Sequence, residues 1–397
     1  MPLARMGGSP QRLIVFAALA AGCASPIALD HAVMAYDTTT ADSVSKQLLL
    51  NIARARFNQP MHFTAISNIA ATYRFSVSTG VVPALTGDRG ALLLPILGSA
   101  AEENPTISIS PMQGEEFTQR LLTPFQEQKL TLLLRQGYDI DALLRLMGSE
   151  VELKHDGTSQ LSIHHNRPSD KDGYPIFRRI VAHLSAVQDR HHLHVEPLHV
   201  VHTWKVPADA ITPATYDELY KEFSLTREPN GKAYRVSKRV NGRVVITNYD
   251  PAVLPPEELF RLHEEAEQAP FNDVLIDIRP EYEGGAMPLH ARMRLRSFHE
   301  MLTFIGRGMA EEREYDVAPD PRTASIRENP VHTLEVVERD SSPPAPHLSI
   351  ELNGHYYALK DDTGYEWNRK VFSLLYQLFQ MSVSTVVQTG PAITIAK

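Results

Sequence analysis

One cysteine, Cys23, occurs in 397 residues. No disulfide can form within such a chain, and no cysteine cluster can hold a metal. A small disulfide-stapled scaffold is thereby excluded, and stability has to come from a packed apolar core. The composition permits one, since 43% hydrophobic and 22% charged residues are ordinary for a globular protein. The length exceeds that of a usual single domain, which favours two lobes or one elaborated domain. The formal net charge is −8 with no basic block to offset it. That argues against nucleic-acid binding, because phosphate contacts need clustered Lys and Arg.

The position of the cysteine carries further information. Arg5 and Arg12 precede a short apolar run at 13–19 that ends on Leu19, and Ala20, Ala21 and Gly22 follow. The run is too short to span a bilayer and has the length of a secretory signal. Small residues ending at a cysteine resemble the lipobox of bacterial lipoproteins, with Ala20 where Leu is commoner. In that pattern Leu19, Ala20, Ala21 and Gly22 form the signal-peptidase recognition sequence. Cys23 is the lipidated residue, carrying a diacylglyceryl group and a further acyl chain such as palmitate. Residues 1–22 are then a signal peptide. Two or more acyl chains hold a protein stably at a membrane where one does not. Ala24 follows where inner-membrane lipoproteins carry Asp, so the outer membrane is the expected location. The periplasmic or surface-facing side is left open. No second hydrophobic segment reaches 18 residues.

Residues 23–40 read as a tether. Val44, Leu48, Ile52 and Phe57 recur at helical spacing and predict a helix that ends before Pro60. Ile69, Ala71, Tyr73, Phe75 and Val77 alternate with Ala70, Thr72, Arg74, Ser76 and Ser78, which predicts a strand closed by Gly80. The apolar segment 81–101 is broken by Pro83, Gly87, Gly90, Pro95 and Gly98. It reads as irregular: a mobile loop or partner-facing lid, or ordinary core packing of an irregular segment. A short strand at 105–111 follows, then three helices around Phe117–Leu122, Leu130–Leu134 and Ala142–Met147. A polar loop at 155–172 leads to a helix at 176–187 and a strand at 193–204. Two Asn-Gly pairs, Asn241-Gly242 and Asn353-Gly354, predict tight hairpin turns. Helices are expected at 298–309 and 367–381, and a strand at 392–396. The segments 319–330 and 341–346 are linker-like. The fold class is α+β, with mixed helices and antiparallel hairpins. The expected division is a lobe at 41–148, a lobe at 149–317, a linker at 318–346 and a terminal hairpin-helix-strand at 347–397.

Three stretches resemble a family of uncharacterised Gram-negative outer-membrane lipoproteins. They are Gln47–Phe57 with Pro60 and Phe63; Pro105–Pro111 with Gly114–Phe117 and Leu121–Pro124; and Phe372–Phe379. Together they cover about a third of the chain. Ile109 stands where the family often has an aromatic. The resemblance implies an envelope location and no activity.

Catalytic signatures are mostly missing from the sequence. Gly-x-Ser-x-Gly, the phosphate loop, the dinucleotide glycine pattern and His-Glu-x-x-His are not found. Ser43-Val-Ser-Lys46 has Ser-x-x-Lys spacing without the companion motifs, and Ser at a helix start favours backbone donors there. His191, His192, His194, His199 and His202 fall close together with Glu196. On a strand, His192, His194 and Glu196 share one face, a set that suits zinc. Same-face neighbours stand about 7 Å apart along a strand, however, so a solvated face is the commoner outcome. A proton-sensitive surface is another reading of the patch. Tyr356, Tyr357, Tyr365 and Trp367 offer either glycan stacking or cross-strand packing. Asp361-Asp362 and Glu311-Glu312 read as solvated pairs.

No catalytic residue and no cofactor other than zinc is assigned. The expectation leans away from an enzyme, toward a lipid-anchored scaffold or accessory subunit of an outer-membrane or periplasmic assembly. Its expected partners are membrane lipid, through acylated Cys23, and an envelope protein. The alternatives are a cell-envelope hydrolase or glycan- or peptidoglycan-binding protein, and a periplasmic metal-binding module.

Overall fold

The computed structural model describes residues 10–83, 93–154, 161–344, 347–360 and 366–383. Two compact units are present. One contains the chain up to Gln47 with Met61–Thr118, and the other contains Leu48–Pro60 with Gln119–Ser382. The architecture is α+β. The expected terminal strand at 392–396 lies outside the described residues.

The first unit holds helix α1 (Pro10–Arg56) as far as Gln47, then strands β1 (Phe63–Pro83) and β2 (Leu93–Met112). Residues 23–40, expected as a tether, are helical within α1. Strands β1 and β2 form one long antiparallel hairpin whose register runs from Phe63↔Met112 to Pro83↔Leu93, with an irregularity between Ile66 and Asn68. Two expectations are corrected here. The strand does not close at Gly80, and residues 81–83 and 93–101 belong to the ladder with 105–111. Prolines interrupt the sequence pattern but not the pairing of β1 with β2. The base of the hairpin is tied to α1: Gln47 Nε2 donates to the Thr64 carbonyl at 3.1 Å, and Thr64 N–H donates to Gln47 Oε1 at 2.7 Å. Buried Phe63 meets Phe117 edge-on, with ring centroids 6.1 Å apart.

Helix α2 (Glu115–Leu122) leads out of this unit. Three segments of the second unit follow in quick succession: α3 (Glu127–Arg135), α4 (Ile140–Met147) and β3 (Gly148–Lys154). Then come β4 (Leu161–His165), α5 (Gly173–Asp189), β5 (His194–Pro207), α6 (Pro213–Glu222), β6 (Ser224–Arg227) and β7 (Ala233–Thr247). The middle of the unit contains α7 (Pro256–Gln268), β8 (Asp273–Ile278), β9 (Leu289–Leu295) and α8 (Phe298–Gly308). It closes with β10 (Val336–Arg339), β11 (Ser349–Leu352), β12 (His355–Leu359) and α9 (Trp367–Ser382). Strand β4 falls within the expected polar loop 155–172 and corrects it.

A seven-stranded sheet organises this unit in the order β4-β3-β9-β8-β7-β5, with β6 also on β7. Only β7 and β8 are parallel, and α7 lies between them in sequence. All six residues of β8 are buried. One apolar cluster joins Leu198, Val245 and Leu275 of the sheet to Leu262 and Ala266 of α7. Tyr174, Phe177, Ile180 and Leu184 of α5 are fully buried. Helix α8 starts with the Ser297/Glu300 capping box, in which each side chain satisfies the other's backbone N–H. No described helix is long and apolar enough to cross a membrane.

The two Asn-Gly pairs behave differently. Asn353 and Gly354 have φ of 55° and 80° and turn β11 into β12, as the sequence predicts. Asn241-Gly242 instead lies inside continuous β7, opposite an irregularity at Pro197/His199 of β5. There β7 places two residues against one, as a β-bulge does. A Cβ on Gly242 would lie 2.4 Å from His263 Nδ1, so glycine serves close packing rather than a turn.

Among its described residues the expected linker 318–346 has no regular structure apart from β10, but it is fastened. Arg178 donates to the Val331 and Pro330 carbonyls at 3.0 and 3.2 Å, and Arg145 donates to the same pair at 3.0 and 2.8 Å. It belongs to the second unit rather than separating lobes.

Candidate functional site

Along one face of the large sheet, charges alternate from strand to strand. Asp273 of β8 accepts from Arg294 of β9, which pairs with Glu150 of β3, and Glu150 faces His165 of β4 at 3.1 Å. Arg292 pairs with Glu152 in the next row. The row after that joins His290, Asp277 and Glu265.

At its centre, His290 of β9 bridges two carboxylates. Nδ1 is 3.1 Å from Asp277 Oδ1, and Nε2 is 2.9 Å from Glu265 Oε1 on α7. Hydrogen bonds to Asp277 and Glu265 push the imidazole up to about 9, so both ring nitrogens carry protons at neutral pH. Burial acts to raise Asp277, but hydrogen bonds from His290, Tyr249 and Arg279 outweigh it and hold the carboxyl below its ordinary value. The hydroxyl of Tyr249 donates to Asp277 Oδ2; burial first, and then that carboxylate, keep the phenol protonated. Arg279 donates to Asp277 at 2.8 Å and to Glu258 at 2.7 Å. Lys154 approaches Glu265 at 3.5 Å.

This row opens on a cleft of about 490 Å³ at the ends of β3, β8 and β9. Lys154, Arg179, Arg279, Arg322 and His290 line it with only two carboxylates, Asp277 and Asp320; Ile176, Met287 and Leu289 supply apolar wall. Arg179 reaches the Ala318 carbonyl at 3.3 Å, and Asp320 holds Arg322. The chemistry available is cationic hydrogen-bond donation. A histidine already carrying both protons cannot act as a general base near neutral pH.

The sequence-derived histidine set is dispersed. Nε2 of His192 lies 2.6 Å from Glu283, while His194 and Glu196 sit on β5 opposite Thr247 and Val245. His199 bonds Asn241 at 2.9 Å, and His202 packs edge-on against Phe260 and His263. Among the described residues, no three His, Cys, Asp or Glu side chains gather where they could hold a metal ion. Of the aromatic group, Tyr357 and Trp367 are buried, and Trp367 donates to the Thr333 carbonyl at 3.0 Å. Tyr365 and the Asp361-Asp362 pair lie outside the described residues. Glu312 meets Arg167 at 3.6 Å. Ser43 and Lys46 both ride on α1, where Gln47 is the side chain near Ser43, at 3.5 Å.

Sequence reasoning missed His290, Asp277 and Glu265, which are 12 to 25 positions apart and belong to no motif. The usable signal was Asp277 inside the apolar run Val274–Ile278, since a carboxylate on a buried strand needs donors. Comparison of the chain with protein-family models, curated proteins and solved structures finds no match.

Proposed function

We propose that the chain is a lipid-anchored envelope protein, held at the outer membrane through acylated Cys23. It serves as a non-enzymatic scaffold or accessory subunit of an outer-membrane or periplasmic assembly. The observation that supports this reading is the β1–β2 hairpin. It pairs over its whole length, from Phe63↔Met112 to Pro83↔Leu93, and has no third strand among the described residues. A lone two-stranded ribbon is marginal in water. Open strand edges also template further pairing unless something blunts or covers them. Such an element on an anchored body suits assembly with a neighbour.

The test combines fatty-acid labelling with crosslinking in intact cells. The wild-type chain takes up label and travels with the outer membrane, crosslinked to a dominant partner. Cys23→Ala loses the label and the processing at Gly22-Cys23. A Cys23→Ala chain that still carries fatty acid would refute the anchor.

A further inference from the structure

We infer that the β1–β2 hairpin is one copy's share of a closed, membrane-spanning β-barrel built by several copies of this chain, an inference that rests on the envelope reading above. Charges stop partway along the hairpin. From Phe75↔Ala101 to Pro83↔Leu93 the ladder contains nine residues on each strand, and none of the eighteen is charged. Charge resumes on both sides of this band. Arg74 and Glu102 are register partners just before it, with Tyr73 and Glu103 next. Asp88 and Arg89 occur in the sequence between the strands.

Nine residues match what a tilted strand needs to cross a bilayer, about 9–11. Period-2 geometry places register partners on one face. Phe75/Ala101, Val77/Ser99, Thr79/Leu97, Val81/Pro95 and Pro83/Leu93 share the more apolar face. Ser76/Ala100, Ser78/Gly98, Gly80/Ile96 and Val82/Leu94 share the other, which carries both glycines and two of the band's serines. The first composition suits lipid and the second suits a barrel interior. Tyr73 falls at the band's margin, where barrels carry aromatic girdles.

Backbone pairing then determines the occupant of the open edges. In hydrocarbon every N–H and C=O must be paired within protein, so a two-stranded ribbon cannot sit there alone. A second copy offers its β2 edge to the first copy's β1 edge. That contact is heterologous, and repeated around an axis it closes. Two strands per copy give the even strand number of bacterial barrels, which begin at about eight, so four copies are the minimum.

The experiment uses the full-length acylated protein, extracted from membranes in mild detergent. Its mass is measured by native mass spectrometry, and its conductance in planar bilayers. A ring of four or more copies that conducts ions is expected. Val81→Arg, on the lipid-side face, should lose both ring and conductance while the far-ultraviolet circular dichroism of the body is kept. Ser78→Arg, on the interior face, should keep the ring and shift ion selectivity toward anions, a shift that a purely structural role would not produce. A monomer or dimer without conductance overturns the inference, as does a Val81→Arg protein that conducts like wild type. Acyl labelling of the same sample separates the two claims. An anchored, labelled monomer defeats the barrel alone, whereas an unlabelled protein that fractionates away from membranes defeats the envelope reading itself.

Discussion

His290 of β9 and Asp277 of β8 occupy one register position, with Nδ1 3.1 Å from Oδ1, and Glu265 of α7 holds the opposite ring nitrogen. The pair therefore fastens a helix to the sheet through a charge as well as through the apolar cluster beneath α7.

The His290 imidazole is pushed up to about 9, above the ordinary value of about 6.5. A group with a raised folded-state value stabilises fully below its unfolded value and loses that contribution as pH rises through the folded one. Asp277 is shifted the other way, so its contribution is present above about pH 4 and is lost on acidification. His290→Gln should thus cost about 2 kcal/mol between pH 5 and 6.5, allowing for the quarter-exposed ring. Urea unfolding should show the difference from wild type shrinking between pH 6.5 and 9. A pH-independent difference would contradict the charged clamp.

Gly306 and Gly308 lie on α8 but face different surroundings. A Cβ on Gly306 would stand 2.7 Å from the Ile52 carbonyl oxygen and 2.9 Å from Arg56 N, both backbone atoms of α1 that cannot swing away. On Gly308 it would meet nothing within 4 Å. Gly306→Ala should destabilise the second unit by about 2–3 kcal/mol through overpacking. Gly308→Ala should be neutral or stabilise by up to about 1 kcal/mol, because alanine favours the helix. Equal thermal shifts for the two variants would show that α1 does not pack there.

Legibility in the sequence followed the range of the interactions. The helices around Ile52, Leu143, Phe298 and Leu375 were readable, because an apolar stripe is a local pattern that one packed face enforces. Asn353-Gly354 was readable because its positive φ values are a local demand. Asn241-Gly242 misled because its glycine answers to His263 on α7, 21 residues away, rather than to a turn. Strands β8 and β9 went unread: β8 is buried on both faces and shows no alternation, while the charges of β9 are satisfied by β3 and β8. The long hairpin was seen only in pieces, since its prolines interrupt alternation but not pairing.

Two buried arginines hold the same carbonyls, but they are not equivalent. Arg178 Nη1 donates to the Tyr174 hydroxyl at 2.7 Å and lies 3.5 Å from Glu314, whose carboxylate also accepts from Thr333 Oγ1 at 2.8 Å. Arg145 stacks on Trp367 at 5.4 Å, but its Nε and Nη1 have no hydrogen-bond partner. Burial, followed by repulsion from Arg178, pulls its guanidinium down to about 10. Arg178→Met should cost about 3–5 kcal/mol, because Glu314 keeps a buried charge without its cation. Arg145→Met, which removes two unsatisfied buried donors, should cost distinctly less. Hydrogen exchange should report faster opening of residues 319–333 in the Arg178 variant. Equal losses in the two variants would refute the distinction.

Asp141, in the first turn of α4, is a carboxylate that the fold would hold more cheaply if it were neutral. Burial raises it to about 6, and attraction to Arg145 together with the 2.7 Å hydrogen bond from Ala142 N–H only partly offsets that. The folded chain therefore binds this proton more tightly than the unfolded chain. Stability falls as pH climbs from about 4 to 6, and the penalty persists above that range. Asn offers the same oxygen to Ala142 N–H without the charge. Asp141→Asn should accordingly stabilise the protein by about 1–2 kcal/mol at pH 7.5 and leave it unchanged near pH 4. Denaturant midpoints for the two chains across this range provide the measurement. If Asp141→Asn lowers the midpoint at pH 7.5, the attraction of Asp141 for Arg145 outweighs the cost of burying it, and the assignment of its raised value to burial fails.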